Sequence, residues 1–169
     1  MKNSFTLLLA AAVFCVISSI SQAEEKKATV TFESLTLETA LELAQATLEK
    51  CRSEGFQIAV SVVDRGGALQ VTLRDRFAGP HTPNTAYRKA WTALSFRADT
   101  LELGEAVESG EGWAMRKVRK ALPLGGGVQI RKGDGTLVGA VGVSGASTPK
   151  SDDVCAKAGI AAIEDKIAF

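Results

Sequence analysis

The order of elements along these 169 residues points to an α+β domain. Two pairs of extended, β-branched stretches each reverse at a glycine-rich turn, and helical stretches stand before, between and after them. Paired hairpins with segregated helices build an antiparallel sheet, whereas a doubly wound fold alternates strand and helix along the chain. With 46% apolar residues the chain can bury a core of ordinary size, so an ordered domain is expected.

Residues 28–32 alternate polar and apolar, as an edge strand or as a tether. Thr36 suits the cap of a first helix whose apolar residues Leu37, Ala40, Leu41, Ala44, Leu48 and Cys51 recur at helical spacing. Glu38 complements its N-terminal dipole and Gly55 ends it. Residues 56–63 and 68–73 form a hairpin about Asp64-Arg65-Gly66-Gly67, where tight reversal needs positive φ. After a loop over 77–83, Pro83 behind Thr82 opens a second helix over 84–98, marked by Ala86, Tyr87, Ala90, Trp91, Ala93 and Leu94. Residues 100–122 read as two short helices broken at Gly110-Glu111-Gly112. A second hairpin spans 124–131 and 136–143 around Lys132-Gly133-Asp134-Gly135, and Thr148-Pro149 starts a closing helix over 150–166. The first and last helices can pack antiparallel on one sheet face.

The N-terminus reads as an address. Met1-Lys2-Asn3 is cationic, residues 4–20 are mostly apolar, and Ser21-Gln22-Ala23 fits a signal-peptidase site. The expectation is a signal peptide over 1–23, a tether over 24–34, a domain over 35–169, and a periplasmic or secreted location. Export removes Cys15 and leaves Cys51 and Cys155 in an oxidising compartment, where they are expected either to pair or to stay as two buried thiols. A bond would close about 105 residues, worth roughly 4.7 kcal/mol in the chain-entropy treatment.

Twenty basic residues against 19 acidic leave a net charge of +1, so no bulk attraction draws the chain to nucleic acid or to an anionic membrane, and neither is an expected partner. Once Cys15 is lost with the expected leader, one His and two Cys are too few for a four-ligand Cys/His zinc cluster. Gly142-Val143-Ser144-Gly145 lacks the later glycine of a nucleophile elbow, and Gly125-Gly126-Gly127 opens a strand instead of a helix, which makes it neither a P-loop nor a dinucleotide fingerprint. Close backbone approach is the plainer reading of those glycines. The 145–151 segment precedes a helix N-terminus that could hold an anion, but Asp152 and Asp153 already supply negative charge there.

His81, the sole imidazole, stands in the loop before the second helix. It is either an exposed loop residue or an iron ligand, with Met115, Tyr87 and Lys89 as weaker donors. Cys-x-x-Cys-His is absent, so covalent c-type haem attachment is excluded. Arg74, Arg76, Arg88 and Arg97 are propionate partners or solvated surface. Thr85, Lys89, Thr92 and Phe96 share one helix face, lining a pocket or meeting a partner or water. Arg116-Lys117-Val118-Arg119-Lys120 is the one basic run, read as an exposed helix face.

Four stretches carry a resemblance: Val62-Val63-Asp64-Arg65-Gly66-Gly67; Ala86-Tyr87-Arg88-Lys89-Ala90-Trp91-Thr92-Ala93; Leu124-Gly125-Gly126-Gly127-Val128-Gln129-Ile130; and Val138-Gly139-Ala140-Val141-Gly142-Val143-Ser144-Gly145, with Asp152 following. In this order they resemble the GlcG/HbpS-like haem-binding family, a domain also found at the C-terminus of PduO-type cobalamin adenosyltransferases. The resemblance covers residues 35–163. It implies a profilin-like fold with a five-stranded antiparallel sheet, homo-oligomers and, in secreted members, non-covalent haem binding tied to redox sensing or haem handling. Members use differing iron ligands, including a His on the first helix, which this chain lacks. The Lys89 and Thr92 helix, the Asp64 turn and the glycine loops match residue by residue and carry over as a pocket without catalytic groups.

Three readings follow. The first is an exported carrier or sensor holding haem b, with His81 on iron and Lys89, Thr92 and Asp64 in the pocket. The second is a binder of, or enzyme for, a small carbonyl or carboxylate metabolite around Lys89 and Thr92. The third is an oligomeric assembly module without ligand.

Overall fold

The computed structural model describes residues 28–169, so the expected signal peptide lies outside the described residues. The chain divides into two compact units, Met1–Thr31 and Phe32–Phe169, and every helix and strand described belongs to the second. Residues 28–32 form no strand.

The elements run α1 (Leu37–Ser53), β1 (Ala59–Asp64), β2 (Leu69–Arg74), α2 (Thr82–Phe96), α3 (Thr100–Glu108), β3 (Gly127–Arg131), β4 (Leu137–Ser144) and α4 (Pro149–Ala161). Single 3-10 turns follow α3 at Trp113–Lys117 and α4 at Glu164–Lys166. The α+β class stands, but the described sheet has four strands and not five, ordered β2-β1-β4-β3 and antiparallel throughout. Among the described residues no fifth strand joins it: 28–32, which alternates polar and apolar, pairs with nothing in the sheet.

Strand alternation sorts the side chains to two faces. Val60 and Val62 of β1, Val71 of β2, Val128 and Ile130 of β3 and Val141 and Val143 of β4 join Leu43, Ala44, Leu48 and Ala156 in the main core beneath α1 and α4. Register stacks Val71, Val62, Val141 and Val128 across all four strands. The other face carries α2, whose Ala90, Ala93 and Leu94 pack with Val63 and Ala140. Small residues let the helix ride close. A Cβ on Gly142 would lie 2.0 Å from the Ala86 carbonyl oxygen and 2.6 Å from the Ala90 nitrogen.

The first helix turns differently from the expected stripe. Its buried face is Ala40, Leu43, Ala44, Thr47, Leu48 and Cys51, while Leu37 and Leu41 are exposed. The face is set by α4, which packs alongside: Gly159 admits Thr47, and a Cβ there would fall 1.9 Å from Thr47 Oγ1. Thr36 caps α1 by accepting from the Thr39 nitrogen, and Thr148 caps α4 by accepting from the Ser151 nitrogen. Cys51, in the last turn of α1, is disulfide-bonded to Cys155 in the second turn of α4, with Cα atoms 5.5 Å apart and both residues buried. The closing helix ends at Ala161, short of the expected 166. The second expected middle helix is the 3-10 turn alone.

Candidate functional site

A cavity of about 810 Å³ opens between the N-terminal ends of α2 and α4. That volume falls in the roughly 300–1,000 Å³ range of ligand clefts. Its walls come from residues 55–57 after α1, the loop ahead of α2 and the first turns of α2, residues 122 and 124 ahead of β3, and the 144–149 turn from β4 into α4 with Asp152. Phe56, Phe77, Leu122 and Leu124 supply apolar surface, His81, Thr82, Thr85 and Arg88 a polar flank, and Lys89, Ser144 and Asp152 the inner part.

Local bonding fixes the loop that bears His81. The buried Asp75 carboxylate accepts from Arg52 Nε at 2.8 Å and from the Ile58 nitrogen at 3.1 Å, tying the end of β2 to the cavity strip after α1. Arg74 donates twice to the Ala78 carbonyl, at 3.0 and 2.7 Å. Thr82 Oγ1 donates to the Gly79 carbonyl at 2.8 Å, so Thr82 braces the loop from within the first turn of α2 instead of capping it. His81 takes the N-cap position with no side-chain cap bond. Its imidazole lies over Gly79, where a Cβ would meet Cε1 at 2.7 Å, and it is exposed on the cavity flank.

Among the described residues Lys89 is the largest fully buried side chain, 1% exposed. Its Nζ donates to Asp152 Oδ2 at 2.7 Å and to the Val143 carbonyl at 3.0 Å, and Asp152 Oδ1 accepts from the Ala146 nitrogen at 2.9 Å. One ion pair thereby joins α2, β4, the following turn and α4. Burial dominates its electrostatics: it pushes the Lys89 ammonium pKa down and the Asp152 carboxyl pKa up, each against the stabilising charge of the other. The glycines explain themselves around this pair. A Cβ on Gly126, whose φ is +107°, would lie 2.6 Å from Asp152 Cβ and 3.2 Å from Lys89 Nζ, and one on Gly127 would lie 2.4 Å from the Lys89 carbonyl oxygen. Gly125-Gly126-Gly127 is a close-approach device, as the sequence indicates.

Of the residues singled out from sequence, His81 and Lys89 meet at the cavity, while Thr92 and Asp64 stand elsewhere. Thr92 donates to the Arg88 carbonyl at 2.7 Å and accepts from the Leu122 nitrogen at 2.8 Å, holding the stretch before β3 onto α2. Asp64 accepts from the Gly66 and Ala68 nitrogens at 2.8 and 2.9 Å, shaping the first hairpin turn. Among the four arginines, only Arg88 lines the cavity. Sequence reasoning missed Asp152 as the partner of Lys89; its signal was the shared membership of both residues in the matched stretches. It also missed the aromatic walls Phe56 and Phe77. Among the described residues no group of three His, Cys, Asp or Glu is placed to hold a metal ion.

Residues 35–161 match the family described as haem degrading protein HbpS-like. The chain belongs to the HbpS-like family. It is 34% identical over 125 residues to the corrinoid adenosyltransferase PduO of Salmonella typhimurium, covering 72% of this chain and 37% of that protein. It thus spans well under half the length of that curated relative. Among solved structures, HbpS superposes with a TM-score of 0.75 at 36% identity, covering 79% of this chain and 93% of the other. A PduOC:heme complex superposes with a TM-score of 0.70 at 32% identity, covering 77% and 95%.

Proposed function

We propose that this chain is an exported, homo-oligomeric protein that holds haem b non-covalently in the cavity between α2 and α4, as a haem carrier or as a haem- or redox-sensing component. The observation that carries the reading is the cavity itself, which sets an imidazole beside aromatic and aliphatic walls. Membership in the HbpS-like family and the haem complex of a relative support it. Export rests on the cationic, apolar and small-residue succession over 1–23, and the lack of Cys-x-x-Cys-His leaves no c-type thioether attachment, in keeping with a non-covalent group.

The donor set fits the group. His81 offers a nitrogen lone pair to iron, Phe56, Phe77, Leu122 and Leu124 offer apolar surface to a flat macrocycle, and the Arg88 guanidinium suits a propionate. Bound haem supplies an iron centre that exchanges single electrons. The protein's part is to hold it: Thr82 and Arg74 fix the His81 loop, and the Lys89–Asp152 pair fixes the inner wall. Hemin titration tests this. A Soret shift saturating at micromolar hemin is expected, altered in His81→Ala, and an unshifted Soret band overturns the proposal.

A second reading, a small-metabolite binder or enzyme, is favoured by one observation. Lys89 lines the cavity, and burial lowers the pKa of its amine against the opposing charge of Asp152. A thermal-shift screen with carbonyl and carboxylate compounds separates it from the first: stabilisation by a metabolite and none by hemin selects it.

A further inference from the structure

We infer that residues 113–121, the segment leading into the cavity wall, form a docking surface for an anionic lipid bilayer. The stretch from Trp113 to Lys120 contains Arg116, Lys117, Arg119 and Lys120 and no acidic residue, in a chain whose total charge is only +1. All four cations are exposed, and Arg116, Lys117 and Arg119 make no ion pair among the described residues. Apolar side chains facing water accompany them: Trp113, just ahead, is 60% exposed and Val118, among them, is 41% exposed. In the 3-10 turn Trp113–Lys117, positions three apart eclipse, which sets Trp113 on one ridge with Arg116.

The segment is held on the domain at its C-terminal end. Arg88 donates to the Lys120 and Ala121 carbonyls at 3.2 and 3.0 Å, and Lys120 Nζ lies over the Tyr87 and Trp91 rings at 5.1 and 5.2 Å. Leu122 and Leu124 come next and line the cavity, Leu124 with 39% exposure. An indole among cations is the composition that settles at a headgroup boundary, where basic groups meet lipid phosphates and apolar groups enter the acyl margin. Val118 and Leu124, being aliphatic, have acyl chains to meet in a bilayer but nothing to stack on or donate to in a nucleic acid. Docking in this way brings the cavity beside the lipid, the phase into which an apolar ligand partitions.

The test is co-sedimentation of the purified full chain with vesicles of phosphatidylcholine alone or with about one third phosphatidylglycerol. The wild type is compared with Arg116→Gln/Lys117→Gln/Arg119→Gln and with Trp113→Ala. Whatever residues 1–23 contribute is common to all three proteins, so differences report the segment. Each cation near an anionic surface accounts for roughly fivefold in partitioning, so the triple variant should bind anionic vesicles about 100-fold more weakly. The Trp113 variant should lose affinity for both vesicle types, and wild-type binding should weaken with salt. Far-UV circular dichroism confirms that the variants fold, which these exposed positions permit. Equal partitioning of wild type and triple variant overturns the proposal. So does tighter binding to a single-stranded RNA than to anionic vesicles with no loss in Trp113→Ala.

Discussion

Lys89→Met separates the cost of a buried ion pair from its geometry. The methionine keeps an unbranched chain of similar length in the slot between α2 and β4 but removes the ammonium from Asp152 Oδ2, 2.7 Å away, and from the Val143 carbonyl, 3.0 Å away. Asp152 is 4% exposed and is left with the Ala146 nitrogen on its other oxygen. Removing one partner of such a pair costs about 3–5 kcal/mol, because an uncompensated charge remains buried. At about 2–4 °C per kcal/mol for a domain of this size, Tm should fall by roughly 6–20 °C. The sign with pH is definite. Burial already raises the Asp152 pKa while Lys89 opposes it, so without Lys89 the carboxyl moves further up and the folded state binds a proton more tightly than the unfolded state. The variant therefore regains stability as pH falls through the raised folded pKa, and the gain is complete below the ordinary carboxyl value. Urea unfolding followed by circular dichroism at pH 7 and pH 5 measures both effects. The double variant Lys89→Met/Asp152→Leu should recover most of the loss. A cost below 1 kcal/mol at pH 7, or the same cost at both pH values, refutes the reasoning.

Other substitutions probe the packing and the cavity. Gly142→Ala should cost about 2–4 kcal/mol in urea unfolding, because its Cβ would lie 2.0 Å from the Ala86 carbonyl and push α2 off the sheet; a loss under 0.5 kcal/mol contradicts this. Cys51→Ala/Cys155→Ala should cost about 2–5 kcal/mol by freeing a loop with sequence separation 104, and thiol titration of the unreduced, denatured wild type should leave both cysteines unreactive. Thr92→Val should cost about 1–3 kcal/mol by orphaning the Leu122 nitrogen while hemin affinity stays within twofold; a large affinity loss at unchanged stability would make Thr92 a ligand contact instead.

What sequence made legible was local. Thr36 and Thr148 read as caps because capping depends on residues three positions away, and both cap as expected. The hairpin turns followed from Asp64 to Gly67 and Lys132 to Gly135, where Gly67 and Gly135 have φ near +85°. The cysteine pair was legible through position, since Cys51 ends the first helix and Cys155 begins the last, and the bond joins these two helices expected to lie side by side. The rest depends on long-range packing. Leu37 and Leu41 fit a helical stripe, but α4 packs against Leu43 and Thr47, and a single stripe does not say which of its edges a neighbour covers. Residues 28–32 alternate like a strand, yet a strand exists only where a partner edge receives it. Lys89 and Asp152 lie 63 positions apart, so their pairing appears only when the sheet closes. Thr92 shares the Lys89 helix face in projection, but the stretch before β3 comes to cover its hydroxyl.

The most direct test of the central claim is a crystal structure of the protein grown with hemin. The account predicts the porphyrin between Phe56, Phe77, Leu122 and Leu124, with His81 on iron and the Lys89–Asp152 pair intact behind it. A porphyrin bound elsewhere on the surface, with the cavity closed by its own side chains and His81 facing solvent, contradicts it.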